Sequence, residues 1–132
     1  MNEKKLIALV TGGSKGIGLE AVKRLQSLGY QVVTCSRQAA TWQAELKQNP
    51  TLSKVSYLAL DISLEEHRSE LFSFISTHYG KLNVVINNAS PKLESLGKFE
   101  TCDAKELEHT MMQDFWSHAD CLRRALGLMH EG

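Results

Sequence analysis

The sequence predicts an α/β domain in which helices cover both faces of a parallel sheet. Three observations lead to this prediction: short apolar runs recur along the chain, helix-like segments separate them, and a glycine cluster directly follows the first run. Strands that alternate with helices form βαβ units, and right-handed crossovers then produce a doubly wound sheet. Ligands bind such sheets at the carboxyl ends of the strands, so the residues after each run are the candidates for a site.

The first strand is predicted at residues 5–10, where "KLIALV" is a nearly continuous apolar run typical of a strand buried on both faces. The first helix is predicted from Ile17, because apolar residues then recur at helical spacing. It closes at Gly29, since a helix C-terminus favours a residue that adopts the left-handed conformation.

Two further pairs of strand and helix follow. The β-branched "QVVTCS" predicts the second strand, and residues 39–48 predict a helix that the Asn-Pro dipeptide ends. "VSYLAL" predicts the third strand, and Ser63 with Glu66 has the spacing of a capping box for the next helix. The inward-facing stripe of that helix is expected at Leu64, Leu71, Ile75 and Tyr79.

The fourth strand is predicted at "LNVVIN", and the irregular "NASPKLESLGKFETC" separates it from the last helix. That helix begins near Asp103, with Glu106 as its capping partner, and runs towards Met129. Its apolar residues indicate a packing or association face rather than a cofactor site. These residues are Met111, Met112, Phe115, Leu122, Leu126 and Met129.

Composition and charge predict one globular domain spanning residues 1–132. Apolar residues make up 42% of the chain, and fifteen basic residues balance fifteen acidic ones. No block of like charge is long enough to bind nucleic acid or a membrane surface. The three cysteines form neither a disulfide framework nor a zinc motif, and the N-terminal apolar run is too short for a signal peptide. We therefore expect a cytoplasmic protein.

The loop "TGGSKGIG" is typical of a phosphate site, because it joins a buried strand to the N-terminus of a helix. Unpaired N–H groups and the helix dipole favour a diphosphate there. Gly12 would allow the tight turn, Gly16 the close approach of the ligand, and Gly18 the near contact of helix and strand. Lys15 precedes Gly16, so the loop is not a P-loop. A glycine turn that binds nothing is the alternative.

The end of the second strand favours NADP over NAD. Dinucleotide folds that bind NAD carry an acidic residue about twenty positions past the glycines. This chain has Cys35, Ser36 and Arg37 there instead. Arg37 and Lys15 could flank a 2′-phosphate that no carboxylate repels. Alternatively, Arg37 is a solvated surface charge.

Polar residues also end the third and fourth strands. Asp61, followed by Ile62, could accept a hydrogen bond from the exocyclic amine of adenine, or could be a turn residue before the next helix. Asn87 and Asn88 could tie neighbouring loops together or contact a ribose.

These motifs, in this order, resemble those of the short-chain dehydrogenases/reductases. "TGGSKGIG" is similar to the family's T-G-x-x-x-G-x-G, Asp61 and Ile62 to its D-[VIL], and "NNAS" to its N-N-A-G, with Ser90 in place of the glycine. The resemblance implies a Rossmann-type sheet in strand order 3-2-1-4 and hydride transfer between NADP(H) and a carbonyl or alcohol carbon. The NADP(H) site that it implies comprises Gly12, Ser14, Lys15, Gly16, Ile17, Gly18, Arg37, Asp61, Ile62 and Asn88.

The catalytic residues of the family are not matched. Its members use a Ser and a Tyr-x-x-x-Lys on elements after the fifth strand, whereas none of the three tyrosines here has a lysine four positions later. The resemblance therefore implies a sheet truncated after about four strands, with no catalytic residues in this chain. Asp114 stands where the family's relay Asn would fall, and Asp114 with His118 lacks a third ligand for a metal.

Two functions follow from these residues. The first is the NADP(H)-binding portion of a short-chain reductase, inactive by itself. The alternative is a non-catalytic nucleotide-sensing or protein-interaction module on the same half sheet. In either case the expected partner is a nicotinamide dinucleotide, with self-association through the last helix or through the exposed edge of the fourth strand.

Overall fold

The computed structural model describes residues 5–89 and 97–129 and confirms the α/β fold. The strands are β1 (Ile7–Thr11), β2 (Gln31–Ser36), β3 (Ser56–Ala59) and β4 (Val84–Asn87). The α-helices are α1 (Gly16–Ser27), α2 (Ala39–Gln48), α3 (Glu65–His78) and α4 (Ala104–Leu126). Short 3₁₀ helices lie at Pro50–Lys54 and Phe99–Thr101.

The strands form one parallel sheet in the order β3-β2-β1-β4, as expected. The chain proceeds from β1 to β3 on one side and then crosses to β4 on the other. Thr11, at the end of β1, pairs in register with Cys35 on one neighbour and Asn87 on the other. The direction of winding therefore reverses between β1 and β4, which is where open α/β sheets bind their ligands.

Each face of the sheet has its own apolar core, which explains why the strands are nearly continuously apolar. Val10 and Val32 pack with α1 and α2, whereas Leu9 and Val33 pack with α3 and α4. The core with α1 and α2 contains Val10, Leu19, Val22, Val32, Trp42, Leu52 and Val55. The opposite core contains Ile7, Leu9, Val33, Cys35, Leu60, Ile62, Leu71, Phe72, Ile75, Leu82, Cys121 and Ala125.

A buried ion pair joins α3 to α4. Arg68 Nε donates to Asp120 Oδ2 at 2.8 Å, and Arg123 and Arg124 also donate to this carboxylate. Burial by itself would raise the pKa of Asp120, but the hydrogen bonds from Arg68, Arg124 and Arg123 hold that pKa well below its usual range. The charged pair therefore fixes how the two helices meet on this face of the sheet.

The start of α3 differs from the predicted capping box. The helix begins at Glu65, its N-cap is Leu64, and no side chain caps it. The Asp61 carboxylate accepts the Ser63 N–H at 3.0 Å, and this turn places Ser63 before the cap position. Leu64 is also 42% exposed, so it does not belong to the predicted inward stripe.

The rest of that stripe and the last helix follow the prediction more closely. Leu71 and Ile75 are fully buried, and Tyr79 packs against the same core. Asp103 caps α4 by accepting the Lys105 N–H at 2.9 Å. The helix ends at Leu126, before the predicted Met129, because the chain turns at Gly127, whose N–H returns to Arg124.

The remaining differences are small. β1 is shifted by one or two residues from the predicted 5–10, and α1 begins one residue before Ile17. Part of the irregular segment after β4, including Ser90, lies outside the described residues. In the described part of the chain, no helix has the length and apolar character needed to cross a membrane.

Candidate functional site

A cleft of about 1070 Å³ lies at the carboxyl ends of the strands. It is bounded by the loops that follow all four strands and by the central turns of α4. Nine of the ten residues predicted to bind the cofactor line this cleft, and Gly18 is the exception. The nine are Gly12, Ser14, Lys15, Gly16, Ile17, Arg37, Asp61, Ile62 and Asn88.

The glycine loop leaves the N-terminus of α1 open to the cleft. Gly12 and Gly16 have φ of 69° and 59°, the left-handed region that favours glycine. A Cβ at Gly16 would meet no atom within 4 Å, so this position leaves space beside the backbone. Lys15 is the N-cap but makes no side-chain cap, and no acidic residue lies in the first turn. The first turn therefore keeps the positive end of the helix dipole available to an anion.

Gly18 shapes the cleft without lining it. A Cβ there would lie 2.1 Å from the carbonyl oxygen of Gly12 and 2.5 Å from Asn88 Nδ2. Gly18 was predicted to allow a near contact of helix and strand. In the structure it allows α1 to approach the loop that leaves β1. Any larger residue at this position would push α1 away from that loop.

Gly13 occupies a position where only glycine fits, which was not predicted from the sequence. A Cβ at this position would lie 2.0 Å from Thr34 Oγ1, and the Thr34 hydroxyl donates to the Val10 carbonyl at 2.6 Å. Thr34 is fully buried in the neighbouring strand β2. The doubled glycine after β1 was the available signal, since a second glycine beside a turn indicates a close approach of the backbone.

Thr11 and Asn88 join the loops after β1 and β4. Thr11 Oγ1 accepts the N–H groups of Asn88 at 2.9 Å and Ala89 at 3.1 Å. In return, Asn88 Nδ2 donates to the Gly12 carbonyl at 3.1 Å. Of the two roles considered for Asn88, the structure shows the tie between loops. Asn87 extends this tie to α4 by donating to the His118 carbonyl at 2.9 Å.

The end of β2 presents Arg37 at the edge of the cleft. Arg37 and Lys15 are both exposed, and both line the cleft. Ser36, beside Arg37, is held by Tyr57 of β3, whose hydroxyl lies 2.6 Å from the Ser36 hydroxyl and donates to the Ser36 carbonyl. Tyr57 in turn stacks on Trp42 with ring centroids 5.0 Å apart, and burial raises its pKa. The backbone before Arg37 is therefore firmly positioned.

The loop after β3 is held mainly by α3. The Asp61 N–H donates to His67 Nδ1 at 2.8 Å, and Arg68 Nη1 donates to the Ile62 carbonyl at 2.7 Å. Asp61 Oδ1 accepts the Ser63 N–H. Asp61 is therefore a turn residue, which was one of the two roles predicted for it. The sequence carried no local signal for the contacts of His67 and Arg68.

The central turns of α4 form a polar wall of the cleft. Asp114 Oδ1 lies 3.7 Å from His118 Nε2, and this ring nitrogen also contacts the Ala89 carbonyl. Among residues 5–89 and 97–129, no group of three or more His, Cys, Asp or Glu side chains could hold a metal. The other residues of this wall were not predicted from the sequence. They are Thr110, Gln113 and Ser117.

Cys35 lines the cleft, but it is not a reactive thiol. It is 1% exposed, and burial raises the pKa of its thiol to about 12. Burial likewise raises the pKa of Cys121, on α4, to about 11. Neither thiol ionises at neutral pH, so neither supplies a nucleophile.

A family model described as short chain dehydrogenase matches residues 6–132. The match includes every loop that lines the cleft. The chain belongs to the short-chain dehydrogenase/reductase family. The resemblance found in the glycine loop, at Asp61 and at Asn88 is thereby confirmed at the level of the family.

Curated relatives of this short-chain dehydrogenase/reductase are longer proteins. An uncharacterized oxidoreductase of Schizosaccharomyces pombe is 35% identical over 123 residues, which are 93% of this chain and 39% of that protein. Salutaridine reductase of Papaver somniferum is 42% identical over 89 residues, which are 65% of this chain and 29% of that protein. The chain thus spans well under half the length of either relative.

A solved structure shares the fold. YwfH, described as an NADPH dependent reductase involved in bacilysin biosynthesis, is 28% identical and superimposes with a TM-score of 0.80. The alignment covers 96% of this chain and 54% of that one.

Proposed function

We propose that this chain is the NADP(H)-binding portion of a short-chain reductase. One observation carries the proposal: the uncapped N-terminus of α1 opens into the same cleft as the exposed side chains of Lys15 and Arg37. The helix end suits a diphosphate, and the two cations suit the 2′-phosphate that distinguishes NADP from NAD.

Each part of the cleft then has a role. The backbone from Ser14 to Gly18 holds the diphosphate, because Gly16 leaves room for a close approach. Asp61 and Ile62 face the adenine, and Asn88 keeps the loops after β1 and β4 in register beside the ribose. When bound, NADPH supplies the hydride for reduction of a carbonyl carbon. The chain's own residues bind and orient the dinucleotide.

Two further observations support this proposal. The YwfH structure, whose description names an NADPH dependent reductase, covers nearly the whole chain. No carboxylate stands at the end of β2, where the residues are Ser36 and Arg37. Cys35 and Cys121 are buried and form no disulfide in the described part of the chain, which fits a reducing compartment, and we place the protein in the cytoplasm.

The Arg37→Asp variant tests the cofactor preference. We expect its affinity for NADPH to fall roughly tenfold or more, because a charge-assisted bond is lost and a carboxylate faces the 2′-phosphate. Affinity for NADH should stay equal or rise. Fluorescence titration with both dinucleotides measures the two constants.

Arg24→Asp is the matched control for that experiment. Arg24 is an exposed arginine in the last turn of α1, at the end opposite the cleft, and it undergoes the same change of charge. We expect this variant to keep the same ratio of affinities for NADPH and NADH as the unaltered chain. If the Arg37→Asp variant had the same ratio of affinities for NADPH and NADH as the unaltered chain, Arg37 would be only a solvated surface charge.

We further propose that the 132-residue chain binds NADPH without turnover. Its sequence contains no Tyr-x-x-x-Lys, the proton donor that the family resemblance calls for. Loss of NADPH absorbance in the presence of a panel of ketones and aldehydes measures turnover. We expect rates equal to those of a protein-free blank, and carbonyl reduction by the purified chain would contradict the proposal.

The second candidate function is a nucleotide-responsive interaction module. The observation that favours it is the apolar face of α4, where Met111, Met112, Phe115 and Trp116 are each more than half exposed. Within the described ranges no strand pairs with the outer edge of β4. Either surface could support self-association.

A further inference from the structure

Two adjacent side chains of α3 hold the backbone of the cleft residues Asp61 and Ile62. His67 accepts the N–H of Asp61 at 2.8 Å, and Arg68 donates to the carbonyl of Ile62 at 2.7 Å. The loop is thus bonded at the amide of its first residue and at the carbonyl of its second. Neither His67 nor Arg68 lines the cleft.

Arg68 is itself anchored to α4. Its Nε donates to Asp120 Oδ2 at 2.8 Å, and the two side chains are only 4% and 2% exposed. Asp120 belongs to α4, the helix whose earlier turns carry Asp114 and Ser117 into the cleft. A buried charged pair with several hydrogen bonds permits few geometries. Arg68 therefore fixes the position of the Asp61–Ile62 loop relative to α4.

Within residues 5–89 and 97–129, only one oxygen of the Asp61 carboxylate accepts a hydrogen bond. Oδ1 accepts the Ser63 N–H, whereas no residue in the described ranges hydrogen-bonds Oδ2. Asp61 lines the cleft, and a carboxylate oxygen accepts hydrogen bonds but donates none. It therefore suits the 6-amino group of adenine and disfavours the 6-oxo group of hypoxanthine.

We propose that His67 and Arg68 are positioning residues that aim the Asp61 carboxylate, so that the cleft selects a 6-amino purine over a 6-oxo purine. The inference rests on the proposed function, because the base belongs to the dinucleotide. It adds residues outside the cleft that determine which base is accepted.

The test compares the dissociation constants of NADPH and of reduced nicotinamide hypoxanthine dinucleotide phosphate for the 132-residue chain. We expect the unaltered chain to prefer NADPH roughly tenfold, the effect of one hydrogen bond to a charged group. In His67→Ala the preference should fall to within about twofold, because the Asp61 N–H loses its acceptor. His67→Asn should restore it, since an amide oxygen can accept in place of Nδ1.

Two more variants complete the set. His78→Ala is the matched control: His78 lies on the same helix, is exposed, and its ring contacts Phe74 and Tyr79. It should keep the preference for NADPH. Arg68→Lys retains a charge beside Asp120 but loses the planar fork that reaches both Asp120 and Ile62, and it should lower the preference.

The outcomes are distinguishable. A merely structural role of His67 would weaken both dinucleotides equally, and an unchanged ratio in His67→Ala overturns the inference. Equal binding of both dinucleotides by the unaltered chain overturns it too, while the proposed NADPH site stands. If the unaltered chain binds neither dinucleotide, the proposed function fails, and the inference fails with it.

Discussion

Replacing Gly18 by alanine should abolish measurable NADPH binding and lower the free energy of unfolding by about 1–3 kcal/mol. The added Cβ would lie 2.1 Å from the Gly12 carbonyl oxygen, which is backbone and cannot rotate away. To relieve this contact, α1 must move away from the loop that leaves β1. That movement also displaces the first-turn N–H groups that we assign to the diphosphate. Thermal melting and NADPH titration of the purified variant measure the two effects.

Gly127→Ala is the control for this substitution. Gly127 has a right-handed φ of −67°, and a Cβ there would lie 3.4 Å from the nearest oxygen, that of Arg124. We expect a change in stability within about 1 kcal/mol and unaltered NADPH binding. If Gly18→Ala behaved like Gly127→Ala, the contact between α1 and the β1 loop would not be a determinant of the site.

Replacing Asp120 by asparagine should destabilise the protein by at least about 3 kcal/mol at neutral pH, because it leaves the buried Arg68 guanidinium without its counter-charge. Asp114→Asn, on the same helix, is the matched control. Asp114 is about a third exposed and lies 3.7 Å from His118, so its loss should cost less than about 1 kcal/mol. Urea unfolding followed by circular dichroism measures both changes. Equal costs for the two variants would contradict the assigned role of the buried pair.

The same substitution has a defined pH dependence. The pKa of Asp120 in the folded protein lies below its ordinary value of 3.8, so its contribution to stability is complete above about pH 4 and is lost as the pH falls further. The difference in the free energy of unfolding between the unaltered chain and the Asp120→Asn variant should therefore be constant from pH 8 to about pH 5. It should become smaller below about pH 4. A difference that grew on acidification would show that the carboxylate is not stabilised by its arginines.

The sheet was predictable because its determinants are local. "LIALV" is apolar throughout, and "QVVTCS" and "LNVVIN" each contain consecutive valines, as strands do when successive residues such as Leu9 and Val10 face opposite cores. The glycine loop was predictable for a similar reason, since the backbone at Gly12 and Gly16 requires a residue that accepts positive φ. Nine of the site residues that the family resemblance implied line the cleft.

The missed features depend on contacts between distant parts of the chain. Arg68 and Asp120 are 52 positions apart, and no local pattern pairs them. Gly13 is constrained by Thr34 of the neighbouring strand β2. In each case the neighbour that decides the role of the residue becomes known only when the elements are packed together. Whether the nine cleft residues bind NADP(H) remains a prediction.

Chemical-shift mapping by NMR tests that prediction most directly. In a titration of the ¹⁵N-labelled 132-residue chain with NADPH, we expect the largest amide shifts in the backbone from Ser14 to Gly18. Further shifts are expected at Arg37, at Asp61 and Ile62, and at Asn88. Shifts confined to the apolar face of α4 around Met112 and Phe115, or no shifts at saturating NADPH, would contradict the assignment of the cleft as a dinucleotide site.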